Sequence, residues 1–239
     1  MQASLPGAQR RIALATLAVA AVAPGLLWRE AHAQLAALTD SDATAGLKGA
    51  LESGAAAAVK LLGRQDGFWG NDRLRIPLPD WLRRSEKMLK LAGFGKDIDA
   101  LKLGVNRAAE QAVPQAQELL VSAVKSMTVT DAKAILAGGD DSVTQFFAGK
   151  TRAPLAERFL PIVRQTTEKI GLAQQYNGLV DQAGALGLGG SGVVRIENHV
   201  TDRALDGLYF MIGEEERKLR SNPLGASSAM VRKVFGALK

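Results

Sequence analysis

The side chains that could carry out chemistry in this sequence are mainly carboxylates, because the usual nucleophiles and metal ligands are scarce. The 239 residues include no cysteine and two histidines. A disulfide scaffold, a cysteine-ligated zinc site and an iron–sulfur site are therefore excluded. A serine nucleophile needs a neighbouring base. The one histidine beyond the N-terminal segment, His199, is expected to be a surface or capping side chain.

Asp140 and Asp141 form the most obvious acidic pair. Adjacent carboxylates could ligate calcium or magnesium through their oxygens. They could equally place negative charge at the N-terminus of the following helix, where the helix dipole is positive. The sequence leaves both interpretations open.

Asp206 and Glu215 are the acidic candidates of the last long helix, which is predicted at about 199–220. Glu215 falls on or beside the apolar stripe of that helix. The other members of the stripe are Leu208, Ile212 and Leu219. A buried acid must be paired, protonated or bound to a ligand, so Glu215 is either part of a site or the partner of an arginine from another helix.

The two glutamates beside Glu215 are assigned to ion pairs on the solvated side of the same helix. The expected pairs are Glu214 with Lys218 and Glu216 with Arg220, each four residues apart. On this interpretation, helical spacing accounts for these two acids without any function.

A basic segment around Trp81 is a candidate of another kind. A helix is predicted at about 80–92, with Arg83, Arg84 and Lys87 opposite its apolar side. Such a helix could lie on an anionic membrane surface. It could instead bury its apolar side in the core and leave its basic side in water.

No catalytic residue, cofactor site or metal site is assigned from a motif. Gly187, Gly189 and Gly192 have the spacing of a dinucleotide-binding loop. That motif requires a preceding strand and a helix that opens on the loop. Here the glycines lie in a Gly-rich stretch, 184–192, of a helical sequence, which predicts a simple loop.

The first 33 residues are predicted to be a cleavable export signal. An apolar run follows Arg10 and Arg11, and Ala31 and Ala33 supply the small residues that signal peptidase requires. Cleavage after Ala33 would leave 34–239 as a single domain, periplasmic or exported, without a transmembrane span. Twin-arginine and general export both fit the paired arginines, and an uncleaved membrane anchor is the alternative.

The remaining chain is predicted to be all-α, a single-domain bundle of roughly 8–9 helices with a Gly-rich loop near 184–192. Good helix formers dominate its composition, and strand-like patterns are confined to 74–76 and 193–196. The run 204–213 is apolar on nearly every face, which is typical of the central helix of a bundle.

Proline and capping residues set the predicted helix boundaries. Pro114 is expected to kink or split a long helix. Thr130 is expected to cap a short helix, and Ser142 with Gln145 matches a capping box for the next one. A separate helix is expected to begin at Pro154.

A set of short strings along residues 40–236 is more specific than any one motif. The strings are Asp66-Gly67-Phe68, Ile76-Pro77-Leu78-Pro79, Asn106-Arg107-Ala108-Ala109-Glu110, Ala112-Val113-Pro114, Asp131-Ala132-Lys133-Ala134-Ile135-Leu136, Gly138-Gly139-Asp140-Asp141, Ala204-Leu205-Asp206-Gly207-Leu208, Glu214-Glu215-Glu216 and Asn222-Pro223. In order and spacing they resemble the bacterial exported proteins of domain-of-unknown-function family 4197. The resemblance implies a helical, envelope-associated protein without an assigned reaction or known catalytic residues. Some members carry a lipidated cysteine, which this chain lacks.

Three functional hypotheses follow. The first is a non-enzymatic envelope protein that binds a partner or a small ligand. The second is a carboxylate-based or metal-dependent hydrolase, which would require acids such as Asp140, Asp141, Asp206 and Glu215 to converge within ~5 Å, as paired catalytic acids do. The third is a peripheral membrane protein that uses the basic helix around Trp81. A net charge of +6 does not by itself indicate a nucleic-acid partner.

Overall fold

The computed structural model describes residues 40–139, 141–188 and 194–222. The predicted signal at 1–33, Asp140, part of the Gly-rich loop and a short helix expected after position 227 lie outside these residues.

Eight α-helices and one 3₁₀ helix form the regular structure of the described residues, which contain no strand. The helices are α1 (Asp40–Leu62), α2 (Asp80–Leu91), α3 (Gly95–Ala112), the 3₁₀ helix (Val113–Gln115), α4 (Ala116–Lys125), α5 (Val129–Ala137), α6 (Ser142–Lys169), α7 (Leu172–Ala185) and α8 (Ile196–Ser221). This confirms the all-α prediction and the expected number of helices.

The central element is α8, which packs against α1, α3 and α6. Most of its length is buried, as its apolar composition predicts. The buried apolar side chains of α8 are Ile196, Val200, Ala204, Leu205, Leu208, Tyr209, Met211 and Ile212. None of the helices in the described residues is both long and apolar enough to cross a bilayer.

Pro114 ends α3, as predicted. The 3₁₀ helix at Val113–Gln115 separates α3 from α4, because proline lacks the N–H that would continue the α-helical hydrogen bonding. The predicted break at Pro154 is wrong, since α6 runs without interruption through Pro154 and Pro161. Leu155 and Phe159 are fully buried along this helix, and their packing offsets the hydrogen bonds that the prolines remove.

Two capping predictions are also wrong. The capping box of α5 is formed by Thr128 and Asp131, with the cap two residues earlier than the expected Thr130. Ser142 does not cap α6, because its hydroxyl donates to the carbonyl of Ile135 at 2.9 Å. Asp141 is the N-cap residue of α6 and makes no side-chain capping bond.

An irregular segment, 63–79, connects α1 to α2 and includes the strand-like stretch at 74–76. Its apolar side chains enter the core: Phe68, Leu74, Ile76 and Leu78 are buried. Gly207 of α8 packs directly against Phe68, since a Cβ built there would lie 2.5 Å from the ring atom Cε1. The segment is therefore part of the packed core rather than a surface excursion.

Replacing Gly207 with alanine is expected to destabilise the protein by about 1–3 kcal/mol, because the added methyl group must displace a fully buried aromatic ring. The free energy of unfolding in urea measures this effect. Gly149→Ala is the matched control, since no atom lies within 4 Å of a Cβ there. That substitution should stabilise α6 by about 0.5–1 kcal/mol. Equal effects at the two positions would show that Gly207 has no packing role.

Candidate functional site

The 63–79 segment is held in place by polar side chains of α3. Asn106 is completely buried. Its Oδ1 accepts a hydrogen bond from the backbone N–H of Ile76 at 2.8 Å, and its Nδ2 donates to the carbonyls of Ile76 and Lys102 at 3.1 and 2.8 Å. One amide side chain thus satisfies both backbone groups of a residue that has no strand partner.

One turn further along α3, Glu110 fixes the start of the same segment. Its Oε1 accepts from the backbone N–H groups of Phe68 and Trp69, each at 3.1 Å. Its Oε2 accepts from Arg107 at 2.7 Å, and the same guanidinium reaches Asp66 at 2.7 Å. Because Glu110 is 4% exposed, all these donors are needed to offset the burial of its charge.

His199 ties the far end of the segment to α8. Its Nε2 lies 2.7 Å from the carbonyl oxygen of Pro77. Burial lowers the pKa of His199 below its ordinary value, so at neutral pH a neutral imidazole donates this hydrogen bond through Nε2. The histidine is half-buried and positions a loop, whereas the sequence predicted a surface or capping side chain.

A groove of about 580 Å³ lies beside this segment, along the N-terminal half of α8. It continues into a second cavity of about 280 Å³ that shares Arg203 and Asp206 with the first. Five arginines line the two cavities, and we call them together the arginine groove. They are Arg73, Arg75, Arg152, Arg195 and Arg203.

Two aspartates, Asp202 and Asp206, are the acids among the described lining residues. Asp206 lies between two of the arginines: its Oδ1 accepts from Arg152 at 2.8 Å, and its Oδ2 lies 3.4 Å from Arg203. Both arginines remain nearly half exposed. Ion pairs with this exposure are weak, so the guanidiniums can still bind another anion.

The remaining arginines of the groove have acidic neighbours outside it. Arg73 pairs with Glu214 at 3.4 Å, and Arg195 lies 3.8 Å from Glu197. Arg75 pairs with Asp72 at 2.9 Å, and its Nε donates to the carbonyl of Trp69 at 2.8 Å. Arg73 also stacks on the ring of Phe210, with 4.6 Å between its guanidinium carbon and the ring centroid. Stacking of this kind orients the plane of a guanidinium, and both terminal nitrogens of Arg73 donate to Glu214 at 3.4 Å.

A separate groove of about 680 Å³ lies on the other side of the segment. Its floor is largely apolar, with Pro77, Leu78 and Leu103, and its charges are balanced. At its edge, Glu86 accepts from Lys102 at 2.5 Å and from Lys90 at 3.0 Å. These hydrogen bonds hold the pKa of Glu86 below its ordinary value against the opposing effect of burial. The larger groove therefore has no comparable excess of one charge.

The structure places the predicted acids apart. Asp206 lies in the arginine groove, whereas Glu215 pairs with Lys218 at 2.7 Å. These two acids are nine residues apart on α8, about 13.5 Å along its axis. Asp141 is exposed and accepts from Gln145 at 2.7 Å. Among the described residues no three histidine, aspartate or glutamate side chains form a metal-binding group.

The buried acid of α8 is Glu216 rather than Glu215. Glu216 is 2% exposed, since it lies one turn after the buried Ile212, whereas the side chain of Glu215 is 24% exposed. Arg220 donates to Glu216 at 2.8 Å, so this predicted pair exists, but it is buried instead of solvated. Burial raises the pKa of Glu216, and the hydrogen bonds from Arg220 oppose that rise.

The partner predicted for Glu214 is also wrong. Glu214 pairs with Arg217 and with Arg73 of the 63–79 segment, and Lys218 pairs with Glu215 instead. A long side chain on a helix can reach a neighbour three or four residues away. Spacing alone therefore does not decide which of these pairs forms.

Trp81 belongs to the core. It is 4% exposed, and its indole N–H donates to the hydroxyl of Tyr176 at 2.9 Å. Arg83 pairs with Asp80 at 2.9 Å, whereas Arg84 and Lys87 are exposed. The indole of Trp81 is thus inaccessible to a membrane, although two of the three candidate cations are accessible.

Sequence reasoning missed the arginine groove. Its arginines come from three distant parts of the chain, namely 73–75, position 152 and 195–203. No motif connects them. The supporting residues were more visible, because Asn106 and Glu110 occur in one of the strings that carried the family resemblance.

The fold and site define an all-α protein in which a core-anchored loop and a central helix form a basic groove. A model of a family described as proteins of unknown function (DUF4197) matches residues 37–236. The chain belongs to this family, as its short strings predicted. No curated protein and no solved structure matches it significantly.

Asn106→Ala is expected to destabilise the protein by about 2–4 kcal/mol, because it leaves the N–H and C=O of Ile76 buried without partners. Hydrogen exchange should also show faster exchange of the Ile76 amide. Asn177→Ala, at an exposed position of α7, is the control and should change neither quantity. Unchanged protection of the Ile76 amide in Asn106→Ala would contradict the anchoring role.

Proposed function

We propose that this protein is a non-enzymatic binding protein whose arginine groove holds a small ligand with carboxylate or phosphate groups. The observation that carries the proposal is the convergence of five arginines on two adjoining cavities whose described lining includes two acids, Asp202 and Asp206. Guanidiniums present paired N–H donors that match the oxygens of such anions. Charged residues gathered from distant parts of a chain in one concave site point to a ligand.

The size and rigidity of the groove support a small molecule. The larger of its two cavities, about 580 Å³, lies within the ~300–1,000 Å³ range of small-molecule sites. The central helix α8 lines both cavities, and the segment fixed by Asn106 and Glu110 forms a wall of the smaller one. A wall fixed before binding reduces the entropy lost when a ligand binds.

Asp206 has a defined place in this proposal. It occupies the position between Arg152 and Arg203 that an anionic ligand would share. The aspartate keeps the two guanidiniums aligned in the absence of ligand, and it repels a second anion. The groove therefore releases its ligand more readily than a cluster of unpaired arginines would.

Two probes, citrate and inorganic pyrophosphate, test the site. At about 100 times its dissociation constant, a probe should add ~2.7 kcal/mol to the free energy of unfolding. For a chain of this size that corresponds to a rise in Tm of about 5–11 °C. The double variant Arg152→Gln, Arg203→Gln should bind at least about tenfold more weakly, because two charge-assisted hydrogen-bond donors are lost.

Arg164→Gln is the matched control, since Arg164 is an exposed arginine on the same helix as Arg152 and should leave binding unchanged. Asp206→Asn should strengthen binding by removing the competing charge. The proposal fails if neither probe raises the Tm, or if the double variant responds as the unaltered protein does.

The binding protein is further proposed to act in the cell envelope. The support is the pattern of Arg10, Arg11, the following apolar run and the small residues at Ala31 and Ala33, which is typical of an export signal. Nothing in this proposal depends on which export route is used.

N-terminal sequencing of the protein from the periplasmic fraction is expected to begin at Gln34. Ala33→Leu should block cleavage, because the peptidase accepts only small side chains at that position, and should leave the longer chain in the membrane fraction. Ala36→Leu is the control, because it lies beyond the cleavage site. Recovery of the full-length chain from the cytoplasm alone would rule out export.

A further inference from the structure

One edge of α2 exposes two large apolar side chains to solvent, whereas the other large apolar side chains of this helix are buried. Leu91 is 76% exposed and Met88 is 53% exposed, the two highest values among the large apolar side chains of the described residues. They are three residues apart and therefore neighbours on the helix surface. The opposite side of α2 is anchored in the core through Trp81, Leu82 and Leu89.

Cations accompany these apolar side chains. Arg84 lies one turn before Met88, and Lys87 lies one turn before Leu91; both are exposed. Just beyond the end of the helix, Lys96 is exposed as well. We call these five residues the Met88–Leu91 edge: Arg84, Lys87, Met88, Leu91 and Lys96.

The acids near this edge do not cancel its charge. Glu86 is turned toward Lys90 and Lys102, and Asp80 pairs with Arg83 at the other end of the helix. Asp97 is exposed next to Lys96 and opposes one of the three cations. The edge therefore carries an excess of positive charge around two exposed apolar side chains.

We propose that the Met88–Leu91 edge docks on the surface of a bilayer that contains anionic lipids. Two apolar side chains are too small an area for a stable protein–protein interface, which buries about 800 Å² on each partner. Docking on a bilayer requires a smaller apolar area, because shallow insertion of a few apolar side chains adds to the attraction between cations and anionic headgroups. Trp81, which the sequence had suggested for this role, takes no part because it is buried.

Docking at this edge is independent of the arginine groove. The edge belongs to α2 and the first turn of α3, whereas the groove is lined by the 63–79 segment, α6 and α8. The two surfaces share no residue. A protein held at a membrane in this way could still bind its anionic ligand from solution.

Co-sedimentation of the full chain with lipid vesicles tests the docking. Vesicles of phosphatidylcholine with about one third phosphatidylglycerol should retain the protein, with retention falling as salt is added, whereas phosphatidylcholine alone should not. Reversing Arg84 and Lys87 to glutamate should weaken binding at least about 25-fold, since each basic residue contributes roughly fivefold near an anionic surface. Met88→Ser with Leu91→Ser should weaken it as well, because the inserting side chains are removed.

Matched controls keep the result specific. Arg164→Glu reverses an exposed charge elsewhere, and Val129→Ser removes another exposed apolar side chain; both should bind vesicles normally. Arg152→Gln with Arg203→Gln should also bind vesicles normally, which separates this proposal from the ligand site.

Vesicle binding that survives the Arg84 and Lys87 reversal overturns the proposal. Sedimentation velocity that shows a dimer lost in the Met88 and Leu91 variant overturns it too, in favour of self-association.

Discussion

The interaction on which the rest of this structure depends is the burial of Asn106 and Glu110 against the 63–79 segment. That segment has no helix or strand to satisfy its backbone, yet it enters the core through Phe68 and Ile76. Buried backbone groups must be hydrogen bonded, and a buried carboxylate must have donors. The same hydrogen bonds satisfy both requirements, because Asn106 and Glu110 of α3 pair with the buried backbone groups of the segment.

The central helix α8 packs against that fixed segment. Gly207 leaves room for the ring of Phe68, and Nε2 of His199 donates a hydrogen bond to the carbonyl oxygen of Pro77. Close packing on one side brings Arg203 and Asp206 beside Arg73 and Arg75 of the segment. The arginine groove is thus a consequence of how the loop is anchored, and it places the charges of the two elements at a common surface.

Most of the fold could be predicted from the sequence, and the predictions that were wrong have physical causes. The helical class and the break at Pro114 follow from local propensity. The continuous helix across Pro154 and Pro161 does not follow from local propensity. Each proline disfavours a continuous helix, but the burial of Leu155 and Phe159 outweighs this effect. Glu215 and Glu216 differ by one residue, which corresponds to a 100° turn of the helix and separates a partly exposed position from a core position.

What the sequence determined by itself is the helical architecture, the apolar character of α8 and the family, since all three are written in local composition or in short strings. Only the tertiary structure decided which polar residues act together. The arginines at 73–75, 152 and 195–203 are separated by about 40 to 130 positions, and no local pattern connects them. Their meeting depends on the anchored 63–79 segment and on the rotation of α8, both of which are fixed by packing and hydrogen bonds between distant parts of the chain.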